Sequence, residues 1–514
     1  MRNQAAEQRR RFLKLCGGAA TTLACSQLEV VGSLPRVSAA DAQLGSESVR
    51  FDDDIEPLVR LLEETPREKV VEVFAGKIRG GTSYREVLAA LLLAGVRNVQ
   101  PRPSVGFKFH AVLVVNSAHL ASLASPDSDR WLPIFWALDY FKSSQQRDVE
   151  EGDWTMAAVD ESKVPPPHQA RRAFREAMEN WDGDAADVAI AGLARSAGAN
   201  EVFELLAHYG CRDFRSIGHK SIFVANGFRT LQCIGWRYAE PVLRSLTYAL
   251  LNHNGEPNPA TSDLAPDAAW RVTDELVSQF DRNWLDGKYD QQGAWDIVDL
   301  LRHASPQEAV RETAGAVQQG MHPQVISDAL FLSAGELLMR QPGIVALHSS
   351  TTSNAMQYAF RQARNRETRL RLLLQNAAFI AYFRDAMQSR GKVGDHRIDQ
   401  FHEAAASGQA QDLNAIFDTI SQNRGQASAS LRDYLEAGGN AEDVIAAARR
   451  LVFLKGNDSH DYKFSSAVLE DYYAISPQLR GSYLAASAYL LPGSGDRDNG
   501  LVDRIRSALS GAAG

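Results

Sequence analysis

Four times along the 514 residues the same series recurs: a polar helix-start signal, an Ala/Leu/Val-rich helical run, a glycine, and a histidine opening the next helical run. The starts are Ser83-Tyr84-Arg85-Glu86, Asn200-Glu201, Ser305-Pro306-Gln307-Glu308 and Asn440-Ala441-Glu442. The first and third are capping boxes, in which a serine accepts an early amide and a glutamate three residues on reaches back. Pro306 takes the first helical position, where its missing N–H costs nothing. The runs end near Gly95, Gly210, Gly320 and Gly456, residues suited to a left-handed C-cap. The histidines that follow are His110, His219, His322 and His460. Two helical turns on, beneath each histidine on the same face, stand Ser117, Asn226, Ala329 and Ala467. A third helix completes each unit, over 131–141, 241–251, 344–360 and 476–491. Phe109 to Val115 is the best strand candidate, but the repeat argues for helix there. Such a pattern predicts an all-α chain of degenerate helical-hairpin repeats in one large domain, curled into an α/α toroid-like array. The units fall at about 55–150, 170–260, 270–365 and 366–495. Two halves meeting at a cleft is the alternative.

The first forty residues follow another rule. Arg9-Arg10-Arg11-Phe12-Leu13-Lys14 resembles a twin-arginine export signature, followed by a weakly apolar stretch over 15–34 and by Pro35-Arg36-Val37-Ser38-Ala39-Ala40, a small-residue cleavage site. The expectation is a signal peptide at 1–40, a mature chain of 41–514 and a periplasmic location. Thr22-Leu23-Ala24-Cys25 is a weaker hint of a lipoprotein box. The whole chain carries a formal net charge of -8; that balance argues against nucleic acid as a partner. Cys211 and Cys233 are the cysteines the mature chain would keep. No later run of 18 or more apolar residues suggests a transmembrane span. The twin-arginine machinery, itself an expected partner, carries folded proteins, many with a cofactor already loaded.

The common chemical motifs are missing: no GxGxxG, P-loop, GxSxG, HExxH or CxxC occurs. What remains is the histidine set, joined by His348 at the start of the third helix of unit three, where the neighbouring units carry Arg244 and Arg480. In a closed helical array equivalent positions converge, so several imidazoles would face one cavity. The positive end of a helix keeps imidazole neutral, the form that binds metals or acts as a base. Asp328, Glu336 and Asp461 are candidates to offset a bound cation, and Arg244 or Arg480 could hold a substrate anion. The competing account is that a repeated histidine is a packing habit inherited with the unit. Asp399 and His402, Glu204 and His208, and the lysines Lys220 and Lys463 read more simply as solvated helix faces. The aromatic residues read as core, with a pocket for a flat substrate as the alternative.

Four segments, FKFHAVLVVNSAH (107–119), GHKSIFVANGF (218–228), ALHSSTTSNAM (346–356) and DSHDYKFSSAV (458–468), resemble the questin oxidase-like family, over about a tenth of the chain. The resemblance carries over His110, His219, His348, His460 and Lys463. It implies an oxygenase related to Baeyer–Villiger-type enzymes that act on polycyclic aromatic ketones. Together with the export signal, these readings lead to an exported metal-dependent oxidoreductase acting on a hydrophobic or aromatic small molecule. His110, His219, His322, His348 and His460 would be metal ligands, iron first among the metals. His219, His348, Arg244 and Lys463 would take part in catalysis. The alternatives are a non-enzymatic helical scaffold and a lyase or hydrolase with a histidine base.

Overall fold

Helical periodicity runs through the chain almost without interruption, and the molecule follows it. The structure is a computed structural model and describes residues 49, 51–101, 107–251, 255–281, 283–403, 412–456 and 458–511. The signal-peptide segment lies outside them. Helix succeeds helix throughout, and the one extended pairing among the described residues is an isolated bridge between Lys288 and Met321. The chain is all-α. The segment 109–115 is helical, as two short pieces, His110–Leu113 and the start of Val115–Ala124, that meet at Val114.

Four helices form the axis: Val115–Ala124, His219–Ile234, Ile344–Gln362 and Ser459–Asp471. Each packs against two of the others, in chain order and back to the first. They run parallel. His110 meets His219 at one level, and Asn226 donates to the Leu113 carbonyl further along. On the next pair His348 meets His219 near the start, and Arg229 meets Asn354 two turns later. Parallel neighbours need a return helix between them, which the repeat supplies. Tyr84–Asn98, Ala199–Gly210, Pro323–Arg340 and Ala441–Lys455 each precede an axial helix and pack against it or its lead-in.

Two expectations change in this frame. Gly95 and Gly210 do not end their helices in left-handed caps. Both sit in helix, and a Cβ on either would come within 3.0 Å of Val112 or Val224 on the following segment. They let the return helix approach closely. Gly320 does adopt a left-handed φ of 92°. The third unit is also shifted by one helix. The capping box at Ser305 and Glu308 forms as expected, but its helix is an extra one outside the ring. The helix that His322 opens, Pro323–Arg340, is the return helix, and Ile344–Gln362 is the axial one.

Apolar side chains fill the space around the axis, with Phe135, Phe223, Phe331 and Phe379 fully or almost fully buried. The axis itself is polar. Asn226, Ser350, Ser353, Asn354 and Asp471 are all buried along it. They are hydrogen-bonded one to another where the partners are seen: Asn354 donates to Asp471, whose other oxygen accepts from Tyr483. Burying so much polarity is costly unless it is paired, so the axis is the place to look for function.

Candidate metal centre

All four axial segments carry a histidine at or near their first turn, and the parallel arrangement brings those first turns together. His110, His219, His348 and His460 are 3%, 4%, 0% and 8% exposed. The Nε2 atom of His219 lies 3.0 Å from Nε2 of His110 and 3.0 Å from Nε2 of His348. The rings of His460 and His110 are 4.6 Å apart at their centroids, and those of His460 and His348 are 5.3 Å apart. Donor nitrogens of His110, His348 and His460 fall within 4.8 Å of one another.

The outer nitrogens decide which tautomers are present. Nδ1 of His219 is 2.7 Å from the Ser216 carbonyl oxygen, and Nδ1 of His348 is 2.6 Å from that of Ile344. A carbonyl can only accept, so each Nδ1 carries the hydrogen and, in a neutral ring, each Nε2 presents a lone pair. Nδ1 of His460 is 2.6 Å from a carboxylate oxygen of Asp458. That leaves its Nε2 facing inward in the manner of a carboxylate–histidine–metal triad. Three of the rings are held neutral. Burial pushes His110, His219 and His348 well below the usual imidazole range, and the charge of Lys463 adds to it for all three.

Two lone pairs therefore face each other across 3.0 Å, in His219 and His348, inside the protein. Neutral acceptors repel at that distance. A cation between them removes the conflict, and nitrogens bound to one metal at about 2.0 to 2.1 Å stand about 3 to 3.4 Å apart. The residue types, the tautomers and the spacing all fit a nitrogen-ligated transition-metal ion.

Local sequence explains how each ring is placed. Gly218 caps the His219 helix with φ 81°, and a Cβ there would collide with Thr352. Only glycine lets the chain turn that close to the neighbouring axial helix. Asp458 caps the fourth helix, and Asp461 reaches back to the Asp458 amide, so the capping box also fixes the carboxylate that holds His460. Burial pushes the Asp458 carboxyl up, but the hydrogen bonds from the His460 side chain and backbone outweigh it and hold it at about 2. Its side chain is 53% exposed, so the dyad reaches the surface.

Lys463, one turn past His460, a catalytic candidate whose simpler reading is a solvated face, is 2% exposed, with no hydrogen-bond partner for its Nζ among the described residues. Burial brings its amine down to about 7, with Asp458 opposing. At neutral pH it is a ready proton acceptor or a further nitrogen donor. Lys220 is also buried, but it is neutralised by Asp213 at 2.7 Å.

Other expected site residues lie elsewhere. His322 caps its own return helix, its Nδ1 accepting from the Gln324 amide at 3.0 Å, and shows no ring contact with the four. The one-helix shift of the third unit gives its place to His348. Arg244 is held by Asp187 at 2.8 Å through both Nε and Nη2, so its charge is already paired and it does not face the histidines. Arg480 lies over Tyr472. Asp328, Glu336 and Asp399 are engaged by Gln324 and Ser476, by Arg302, and by Arg302 respectively. Glu204 accepts the Asn365 amide, and His208 packs edge-on against Trp270. Sequence reading overlooked Asp458, although an Asp two residues before a His at a helix start is a visible signal. Cys211 and Cys233 are free thiols. Comparison with protein-family models, curated proteins and solved structures finds no match to this chain. The site therefore rests on its own geometry.

Proposed function

We propose that the chain is a metal-dependent oxidoreductase whose ion, iron in the first instance, is held by His110, His219, His348 and His460. The observation that carries this reading is the pair of buried lone pairs 3.0 Å apart on His219 and His348. Four imidazoles are neutral ligands, so the ion keeps its full charge apart from the Asp458 carboxylate behind His460. Such a centre draws electrons and electron-rich ligands. Lys463 sits beside it as a proton carrier suited to neutral pH. The resemblance to the questin oxidase-like family supports an oxygenase acting on a hydrophobic or aromatic small molecule. The twin-arginine-like segment supports loading of the metal before export to the periplasm. No helix among the described residues is long and apolar enough to cross a membrane.

The test is dioxygen uptake by the iron-loaded protein with a panel of phenols and polycyclic aromatic ketones. Uptake that depends on both iron and substrate, and stops on chelation, is the expected result. Turnover that survives complete chelation would overturn the reading. A second reading draws support from the burial of the centre. Five of the surface cavities among the described residues are lined by neither the four histidines nor Lys463. Side chains buried to this depth favour exchange of electrons over direct contact with a bulky substrate.

A further inference from the structure

We infer that Arg212 and Trp181 form a buried binding site for a small monovalent anion, chloride being the plainest example, beside the segment that leads into the His219 helix. The inference is independent of the metal reading above.

Arg212 is 1% exposed. A guanidinium is charged at every ordinary pH, and a charge taken out of water is costly unless a counter-charge and hydrogen bonds offset it. Its Nη1 donates to the Met178 carbonyl at 3.1 Å, in the last turn of the helix Pro167–Glu179. Its Nε and Nη2 are buried and have no hydrogen-bond partner among the described residues. A helix C-terminus supplies roughly half a negative charge, so the Met178 contact leaves part of the charge unmatched and two nitrogens unused.

The neighbours do not make up the difference. Arg215 and Lys220 are the other buried cations here, and each has taken a carboxylate, Asp267 at 2.5 Å and Asp213 at 2.7 Å. Three buried cations, Arg212, Arg215 and Lys220, therefore share two buried carboxylates. Glu179 and Glu256 lie at the surface and are engaged, by Tyr209 and by Arg215. Burial pushes the Arg212 guanidinium down from its ordinary range, by more than Asp213 and Glu179 restore.

Trp181 supplies a further donor. The centre of its ring lies 4.9 Å from the guanidinium carbon of Arg212, 5.4 Å from Lys220 Nζ and 5.8 Å from the guanidinium carbon of Arg215. Its indole N–H is buried and, like the two Arg212 nitrogens, without a partner among the described residues. Trp181 also holds a left-handed φ of 59°. That conformation is strained for a residue other than glycine, and such strain collects at ligand sites.

Unused N–H donors beside surplus positive charge call for an anion. Neither Arg212 nor Trp181 lines any of the five cavities above, so the occupant has the size of a single ion. A halide carries the one charge needed and accepts from N–H groups in any direction. Arg212 stands four residues before Ser216, whose carbonyl holds His219. The ion thus ties the lead-in of an axial helix to the end of Pro167–Glu179.

The test is calorimetric melting of the full chain, stripped of metal, in sodium chloride, bromide or gluconate at equal ionic strength. Gluconate is too large to enter. Chloride and bromide are expected to raise the melting temperature by at least about 2 °C, with a response that saturates as a single site does. Arg212→Met, which removes the charge at similar length, is expected to melt alike in all three salts. If that variant does not fold, Trp181→Phe, which keeps a ring and loses the N–H, is expected to raise the half-saturating chloride concentration at least about fivefold. Crystals soaked in bromide are expected to show an anomalous peak beside Arg212 and Trp181. Equal melting in chloride and gluconate, a parental response in either variant, or no bromide peak at Arg212 would overturn the site and leave water as the partner of these nitrogens. None of these outcomes bears on the four histidines.

Discussion

At the scale of single residues, metal binding turns on which nitrogen of each ring carries the hydrogen. Ser216, Ile344 and Asp458 fix that choice from behind, so the outer partners matter as much as the ligands. Asp458→Asn keeps the size and the helix cap but removes the charge that steadies His460. Metal affinity should fall about 10- to 100-fold, read by competition with a chromophoric chelator. Unchanged affinity would mean that His460 is not a ligand. His219→Leu tests the lone-pair argument from the other side. Without metal the variant should be no less stable than the parent, because it removes one of two opposed acceptors. The parent alone should gain about 2.7 kcal/mol from metal at a hundred times its dissociation constant, seen as a shift of the calorimetric melting curve. Lys463 shows what a sequence hides at this scale. Its neighbours Asp461 and Tyr462 look like any polar helix start, and only the closure of the ring buries its amine.

Among elements, the position of an axial helix is set by what precedes it. Gly218 is the clearest case, with its left-handed φ and no room for a Cβ beside Thr352. Gly218→Ala should cost at least about 2 kcal/mol in urea unfolding and lower metal occupancy as His219 is displaced. Ser305→Ala, in the capping box of the extra helix outside the ring, should cost about 1 kcal/mol and leave metal occupancy unchanged. Loss of metal in that variant would contradict the placing of the site. The two positions also show where the sequence was readable. Capping boxes at Ser83 and Ser305 are local chemistry, and both form as expected. The assignment of helices to the third unit was not legible. The segment from Ser305 to His322 carries a cap, a glycine and a histidine in the same order as the true units. Only the packing of Ile344–Gln362 against its neighbours reveals that His348, not His322, belongs to the ring.

Over the whole molecule, the all-α class followed from periodicity, whereas the convergence of histidines was an expectation conditional on a closed array, and it takes His348 in place of the repeated His322. The closure of the ring depends on long-range packing that no local signal encodes, and with it go the polar axis and the burial of Lys463. Burial also makes the fold sensitive to acid. His208, on the helix Ala199–Gly210 and partly exposed on the wall of a surface cavity, is pushed down to about 3, first by burial and then by Arg371, Arg212 and Arg175. Above pH 6.5 the ring is neutral folded or unfolded and has no effect. Below it the unfolded chain takes up a proton that the folded chain refuses, so stability falls until about pH 3. Between pH 6.5 and 4.5 this one group should cost at most about 2 to 3 kcal/mol, less what solvent at its exposed edge screens, and His208→Gln should flatten the urea-unfolding profile. A variant with the same pH slope as the parent would show that His208 is not buried neutral.

The proposal is that four histidines, three on axial helices and His110 on the short helix leading into the fourth, hold one ion. It is tested most directly by elemental mass spectrometry of the protein purified without chelator, beside His348→Ala. One transition-metal ion per chain in the parent, lost in His348→Ala while the helical circular dichroism is unchanged, is the predicted result. A parent free of metal even after exposure to ferrous iron, or a variant that keeps its full complement, would contradict it.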